Sequence, residues 1–257
     1  EWLSIIKDEI YLEIDRLVMY ENEKNCYFSK YKNKKVDNTL FISLLEDIIK
    51  TKQNYGYSLD GQVTFEVLPK LYNNITNEGF YIYGKEKKLY LSNRLSQQKN
   101  VVSKGFLAYL YIFLSHEIFP GHHYHLNSIK TPFIKRNVDF LQNPVSLEGF
   151  AVLSEKTINH LNFNYYVSLL NLKRLIPTAI YIEKLVNGID KSHNLIENIF
   201  AQNPILLDEY KKNAGIGSPN IIYTIGYLET LNHFTKVSSL DFNKLAQYGP
   251  VTFKYFT

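Results

Sequence analysis

His116-Glu117-Ile118-Phe119-Pro120-Gly121-His122-His123 closes an apolar helical run, breaks it with Pro-Gly, and then adds two more histidines. Three of the chain's seven histidines fall within these eight residues, beside a carboxylate. In the zinc-peptidase pattern H-E-x-x-H, two histidines at i and i+4 of one helix face the metal and the Glu serves as general base. Here position i+4 is Pro120, and the next histidines come at i+6 and i+7. In a regular helix His122 would point about 120° away from His116, and His123 would align but lie ~10 Å further along. The spacing therefore requires a distortion. Pro120 removes a helix hydrogen bond and Gly121 permits unusual dihedrals, so this pair is expected to bend the helix and return a later histidine to His116. The residues alone leave His122 and His123 both open as its partner. A surface histidine cluster at a helix C-terminus is the plainer reading of the same run. Against it stands the cost of burying three imidazoles and a carboxylate with no ligand.

The surrounding pattern is helical. Phe106, Leu107, Leu110, Phe113 and Leu114 precede His116 and are spaced to bury one helix face. Val145–Asn159 reads as another helix, with Ser146 as N-cap, and Phe163–Ile189 as a long one kinked near Pro177. Segments 192–201, 204–213, 221–234 and 242–246 continue the pattern. Before residue 100, helices are expected over 1–20 and 40–49. Strands are expected over Val63–Leu68, Phe80–Tyr83 and Leu89–Leu91, with Gly84-Lys85-Glu86-Lys87 as a hairpin turn. The fold class is α+β, mostly helical, with a small antiparallel sheet in the first half packed on a helical core. No linker or repeat divides the chain, so 1–257 reads as one domain. Within it, 1–100 carries helices and the sheet, and 101–257 the helical metal-site portion.

Composition narrows the function. With 45% hydrophobic and 21% charged residues the chain is globular. A net charge of +4 and only four arginines (Arg16, Arg94, Arg136 and Arg174) argue against a nucleic-acid partner. Cys26 is the single cysteine, which excludes an internal disulfide and a cysteine-based zinc cluster. No apolar run reaches about 18–20 residues, so no membrane span is expected. A cytoplasmic location is the expectation. An exported form stays open because the chain starts at Glu1 without Met.

A zinc site needs a third ligand. Glu148 and Glu155, seven residues apart, fall on one face of the Val145–Asn159 helix. Glu148 is the candidate ligand, with first-turn dipole stabilisation as its plainer role. Glu155 suits an acceptor that orients a ligand imidazole, a solvated carboxylate, or a ligand to a second metal. His125 is expected to be exposed or to support a ligand from behind. Further on, Gly226 interrupts an apolar helix at a cost of about 1 kcal/mol relative to Ala, for which close packing is a reason. Tyr223 or Tyr227 could donate a hydrogen bond to an oxyanion, although with 21 tyrosines a core or surface role is the plainer reading.

Three stretches together carry a resemblance. HEIFPGHHYH (116–125) resembles the H-E-x-x-P-G-H-H-x-Q signature of the bacterial domain-of-unknown-function 885 family. SLEGFAVLSE (146–155) is similar to that family's E-G-W-A-x-Y-x-E segment, and SPNIIYTIGYLE (218–229) to its P-G-Q-A-x-x-Y-x-I-G segment. Order and spacing agree over about residues 100–235. The first motif is the specific one and the other two support it. Family members resemble gluzincin-type zinc metallopeptidases and usually have longer chains with a large helical N-terminal part. This chain departs at Phe150, where the pattern has Trp, at Tyr124-His125 in place of Leu-Gln, and at Asn220 near the usual Gly-Gln. These departures bear on substrate choice more than on metal binding.

The resemblance implies that His116 and Glu148 are zinc ligands and Glu117 the base. It favours His122 as the second histidine, because Gly121-His122 reproduces the Gly-His of gluzincins after a two-residue insertion. His123 is the alternative. The expected activity is zinc-dependent hydrolysis of peptide or amide bonds in ordinary or modified peptides, with Glu117 as base and Tyr223 steadying the oxyanion. Two rivals remain. One is a non-haem iron or di-metal oxidoreductase using the same two histidines and carboxylate, with Glu155 at a second metal. The other is a non-catalytic peptide-binding protein on a decayed peptidase scaffold, suggested by the short chain and the substituted positions.

Overall fold

The computed structural model describes residues 1–25, 31, 37–53, 63–71, 79–83, 87–92, 104–130, 143–156, 163–201, 204, 207, 220–236 and 245–247. The helices are α1 (Trp2–Met19), α2 (Asn38–Gln53), α3 (Lys104–Glu117), α4 (His122–Ser128), α5 (Pro144–Lys156), α6 (Asn164–Asn187), α7 (Ile189–Ile199) and α8 (Ile221–Lys236). The strands are β1 (Thr64–Val67), β2 (Gly79–Ile82) and β3 (Lys88–Leu91). The mostly helical α+β reading holds. The expected segments 204–213 and 242–246 lie largely outside the described residues, as do Gly84, Lys85 and Glu86 of the expected turn.

The sheet differs from expectation in one respect. Its order is β1-β3-β2, with β2 antiparallel and β1 parallel to β3, so it is mixed rather than antiparallel. Turn residues specify only which neighbours in sequence can fold back on each other, and β2 with β3 obeys that. Which strand takes the other edge of β3 is decided by tertiary packing. Among the described residues β2 is an edge strand.

The chain groups into two compact units. The first comprises residues 1–26 and 161–225. Here α6 packs against α1 and α7. Ile6, Ile10, Ile14 and Leu17 of α1 recur at helical spacing and are all buried, as are Leu172, Leu175, Ile176 and Ala179 of α6. Pro177 stands within α6, and the hydroxyls of Thr178 and Thr224 both donate to the Arg174 carbonyl nearby.

The second unit comprises residues 27–160 and 226–257. Its centre is α3, flanked by α2 and α5. The sequence suggested one buried face for α3, but Leu107, Ala108, Leu110, Tyr111, Ile112, Phe113 and Leu114 are all buried. A helix apolar nearly all round belongs inside the core. Helix α5 starts earlier than expected. Pro144 is its first residue and the Asn143 side chain accepts the Val145 amide, so Asn143 takes the capping role expected of Ser146, which is buried in the first turn. Gly226 of α8 meets Gly149 of α5 at a backbone crossing. A Cβ on Gly149 would lie 2.0 Å from the Gly226 oxygen, and one on Gly226 2.0 Å from the Val145 oxygen. Close packing is thus the reason for the glycine inside α8.

Candidate metal centre

The histidine run is a junction between two helices, where the sequence suggested one bent helix. Helix α3 ends at Glu117, and the Leu114 carbonyl accepts both the Ile118 and Phe119 amides, at 2.9 and 3.3 Å. The Phe119–Pro120 peptide is cis. Helix α4 then starts at His122, and the Tyr124 amide reaches back to the Ile118 carbonyl at 3.0 Å. Gly121 is required for space, not for its φ of −76°. A Cβ there would stand 1.7 Å from the His116 carbonyl oxygen and 2.5 Å from that of Ser115. Starting a new helix changes the direction in which His122 projects, which removes the mismatch of a continuous helix.

His116 and His122 come together, with ring centroids 4.8 Å apart and planes at 87°. Glu148 meets both: its Oε2 lies 3.1 Å from His116 Nε2 and 3.5 Å from His122 Nε2. The second carboxylate of α5, Glu155, takes the opposite nitrogen, with Oε1 2.7 Å from His116 Nδ1. The seven-residue spacing thus grips one imidazole at both ends. Ser154, between them in the sequence, ties α5 to α3 through the Ser115 carbonyl. His116, His122 and His123 are 6%, 7% and 0% exposed, so a surface cluster is ruled out.

Glu117 joins the same group: donor atoms of His116, Glu117 and His122 lie within 4.8 Å of one another. Two carboxylates therefore compete for the place of third ligand. Glu117 Oε2 is held by the Tyr81 backbone amide at 3.0 Å, whereas Glu148 Oε2 sits between two imidazole nitrogens. Glu148 thus makes the closer contacts with the two imidazoles, and Glu117 lies beside them.

The electrostatics follow the geometry. Burial opposes a charge on His116, but its hydrogen bonds to Glu148 and Glu155 outweigh this and raise its pKa to about 10. Burial acts against ionised Glu148 too, and the adjoining His122 and His116 overcome it, taking the carboxyl well below the usual range. Glu117 goes the other way. Burial is its largest influence and raises its pKa, only partly countered by the two histidines.

A zinc ion suits these residues. Tetrahedral ligands with bonds of about 2.0–2.1 Å lie roughly 3.3 Å apart. The Nε2–Oε2 separations of 3.1 and 3.5 Å bracket that edge. Glu155 supplies at His116 Nδ1 the carboxylate that commonly backs a ligand imidazole, whereas among the described residues His122 Nδ1 has no hydrogen-bond partner.

His123 points to a different set of partners, Tyr81 and Asn127. His125 is buried rather than exposed, stacked on Phe150 at 4.0 Å between ring centroids. Tyr223 belongs to the first unit, with the Arg174 guanidinium 5.6 Å from its ring centroid. Tyr227 is buried in the second unit and its hydroxyl accepts from Lys156. Tyr81 was not foreseen: a strand tyrosine among 21 has no local signal, and its value comes from the edge position of β2.

No protein-family model matches the sequence, and no curated protein does. Two solved structures share the fold. One is "the putative lipoprotein from Colwellia psychrerythraea", with TM-score 0.60 and 14% identity, matched over 98% of this chain and 50% of the other. The second is "a putative lipoprotein of unknown function from Shewanella oneidensis", with TM-score 0.61 and 15% identity, matched over 98% of this chain and 54% of the other. The chain thus spans about half the length of these solved relatives, and at such identities the likeness is one of fold.

Proposed function

We propose that this protein is a zinc-dependent hydrolase of peptide or amide bonds, with His116, His122 and Glu148 as ligands and Glu117 as general base. The observation that carries this reading is Glu148 Oε2 standing between the Nε2 atoms of His116 and His122, with Glu117 buried beside them. The resemblance of the three motifs to the domain-of-unknown-function 885 family and to gluzincins supports it independently. Zinc in this position supplies Lewis-acid polarisation of a carbonyl and a water of lowered pKa. Glu117 takes the proton of the attacking water, and its raised pKa suits it to hand that proton to the departing amine. Glu155 keeps the His116 ring in place through its Oε1.

Peptides, ordinary or modified, are the proposed substrates. The description of both solved neighbours as lipoproteins supports an exported site of action over a cytoplasmic one. Among the described residues no helix is long and apolar enough to cross a membrane. Metal analysis of the purified protein and turnover of a fluorogenic peptide library test the reading together. One zinc per chain is expected, and Glu117→Gln keeps it while losing roughly 10²–10⁴-fold in kcat. A metal-free native protein, or full hydrolysis by Glu117→Gln, overturns it.

A further inference from the structure

We infer that Tyr81 and His123 form a positioning couple that holds Glu117, and that His123 therefore serves the site without ligating metal. The inference rests on the reading of Glu117 as general base. Its starting point is a chain of hydrogen bonds whose direction is set at one end. Lys87 can only donate, and its Nζ lies 2.8 Å from Asn127 Oδ1. Asn127 Oδ1 is thereby the acceptor, and its amide nitrogen faces the other way. That nitrogen donates to the His123 carbonyl at 2.6 Å and lies 3.2 Å from His123 Nδ1. The same nitrogen lies 3.4 Å from His123 Nε2, so it sits against the ring without fixing which nitrogen accepts. The Tyr81 hydroxyl makes the shorter contact, 2.6 Å from Nδ1, and as a phenol that burial holds protonated it donates there. The Nδ1 lone pair is thus engaged by Tyr81, and the ring faces Tyr81 and Asn127.

The opposite end of Tyr81 explains what the couple does. Its backbone amide donates to Glu117 Oε2 at 3.0 Å. Because β2 is an edge strand, that amide is not needed by a neighbouring strand. Glu117 ends α3, and His123 is the second residue of α4, just after the Pro120-Gly121 junction. Tyr81 bridges the two sides of this junction, accepting orientation from α4 through its hydroxyl and fixing one oxygen of Glu117 through its amide. The T-shaped contact of the Tyr81 and His123 rings, 5.3 Å between centroids, and the packing of Tyr81 on Leu126 and Ile129 hold the strand in this position. A base must be held in hydrogen-bond reach of the proton that it takes, and small displacements of such groups reduce rate more than binding.

Tyr81→Phe removes the hydroxyl and keeps the ring. In zinc-loaded protein it is expected to lower kcat about 10–100-fold, the range for loss of a supporting hydrogen bond. KM on the fluorogenic peptide library and zinc content should be unchanged. His123→Ala behaves alike, and His123→Asn, whose Oδ1 can accept from Tyr81, restores most of the rate. A second readout needs no turnover. The Tyr81 backbone amide resonance, moved downfield by a carboxylate acceptor, should shift upfield in Glu117→Gln, in Tyr81→Phe and in His123→Ala. Loss of zinc in His123→Ala, an unmoved Tyr81 amide, or wild-type kcat in Tyr81→Phe overturns the inference. If Glu117→Gln is inactive while Tyr81→Phe is fully active, only the positioning role fails. If Glu117→Gln is fully active, the assignment of the base fails first.

Discussion

Both units bury glutamates on helices, and the two sets have opposite partners. In the first unit Glu13, fully buried on α1, is matched by permanent donors: Arg16 Nη1 at 2.7 Å and Asn171 Nδ2 at 3.2 Å. Glu9 stands 3.5 Å from the same guanidinium. In the second unit Glu148 and Glu155 face an imidazole from either side, and Glu117 lies beside it. Arginine cannot give up its proton, so the first set is held by a fixed positive charge. Imidazole can exchange its proton for a metal, so the second set is open to chemistry. Burial of a carboxylate therefore does not mark a functional site. What sets the candidate site apart is a partner whose charge can be exchanged.

The largest predicted effect tests whether the junction makes the second set. Gly121→Ala puts a methyl group 1.7 Å from the His116 carbonyl, so α3 and α4 must separate. Zinc affinity, read by competition with a chromophoric chelator, should fall by more than the roughly 100-fold that accompanies loss of a supporting hydrogen bond. Unchanged affinity would mean that the two histidines do not depend on this close approach. Glu155→Gln removes the charge behind His116 Nδ1 and is expected to weaken zinc binding about 10–100-fold. Wild-type affinity in that variant would put Glu155 in the same purely structural class as Glu13.

Proton exchange sharpens the contrast further. With no metal bound, His116 holds its proton up to about pH 10, against an ordinary 6.5. Zinc must displace it, so apparent affinity should rise about tenfold per pH unit below that value, with proton release measurable in calorimetry across buffers. For folding the sign is reversed. A raised pKa contributes stability that is full below about 6.5 and is lost as pH rises through about 10. The Tm of the metal-free protein should thus decline over that window, and a flat profile would contradict the shift. The smallest effect on metal belongs to Glu13→Gln. It should destabilise the fold by about 1–3 kcal/mol through the lost charge-assisted bonds, with zinc affinity unchanged. A changed affinity there would break the distinction between the two sets.

Much of this was legible residue by residue. The 3.6-residue apolar period located α1, α3, α6 and α8, and the seven-residue spacing of Glu148 and Glu155 already placed both on one helix face. The interruption of α8 by Gly226 pointed to a close helix contact before its partner, Gly149, was known. The Pro-Gly pair announced a distortion but not its kind. Local conformational preferences signal where a helix stops and are silent on where the next one points. For the same reason His122 and His123 could not be separated by spacing alone, and β1 could not be assigned to the outer edge of β3.

The sequence by itself determined the helical class, the candidate ligand types and the carboxylate pair, because these depend on periodicity and on side-chain chemistry. The tertiary structure decided the remainder. It ended α3 at Glu117 and restarted the chain at His122, which joined that residue to His116 and turned His123 toward Tyr81. It also laid an edge strand beside Glu117, so that a backbone amide, which no sequence motif records, could hold the carboxylate. Such contacts join residues far apart in the chain, and their geometry is fixed by packing in three dimensions, where local preference carries no information.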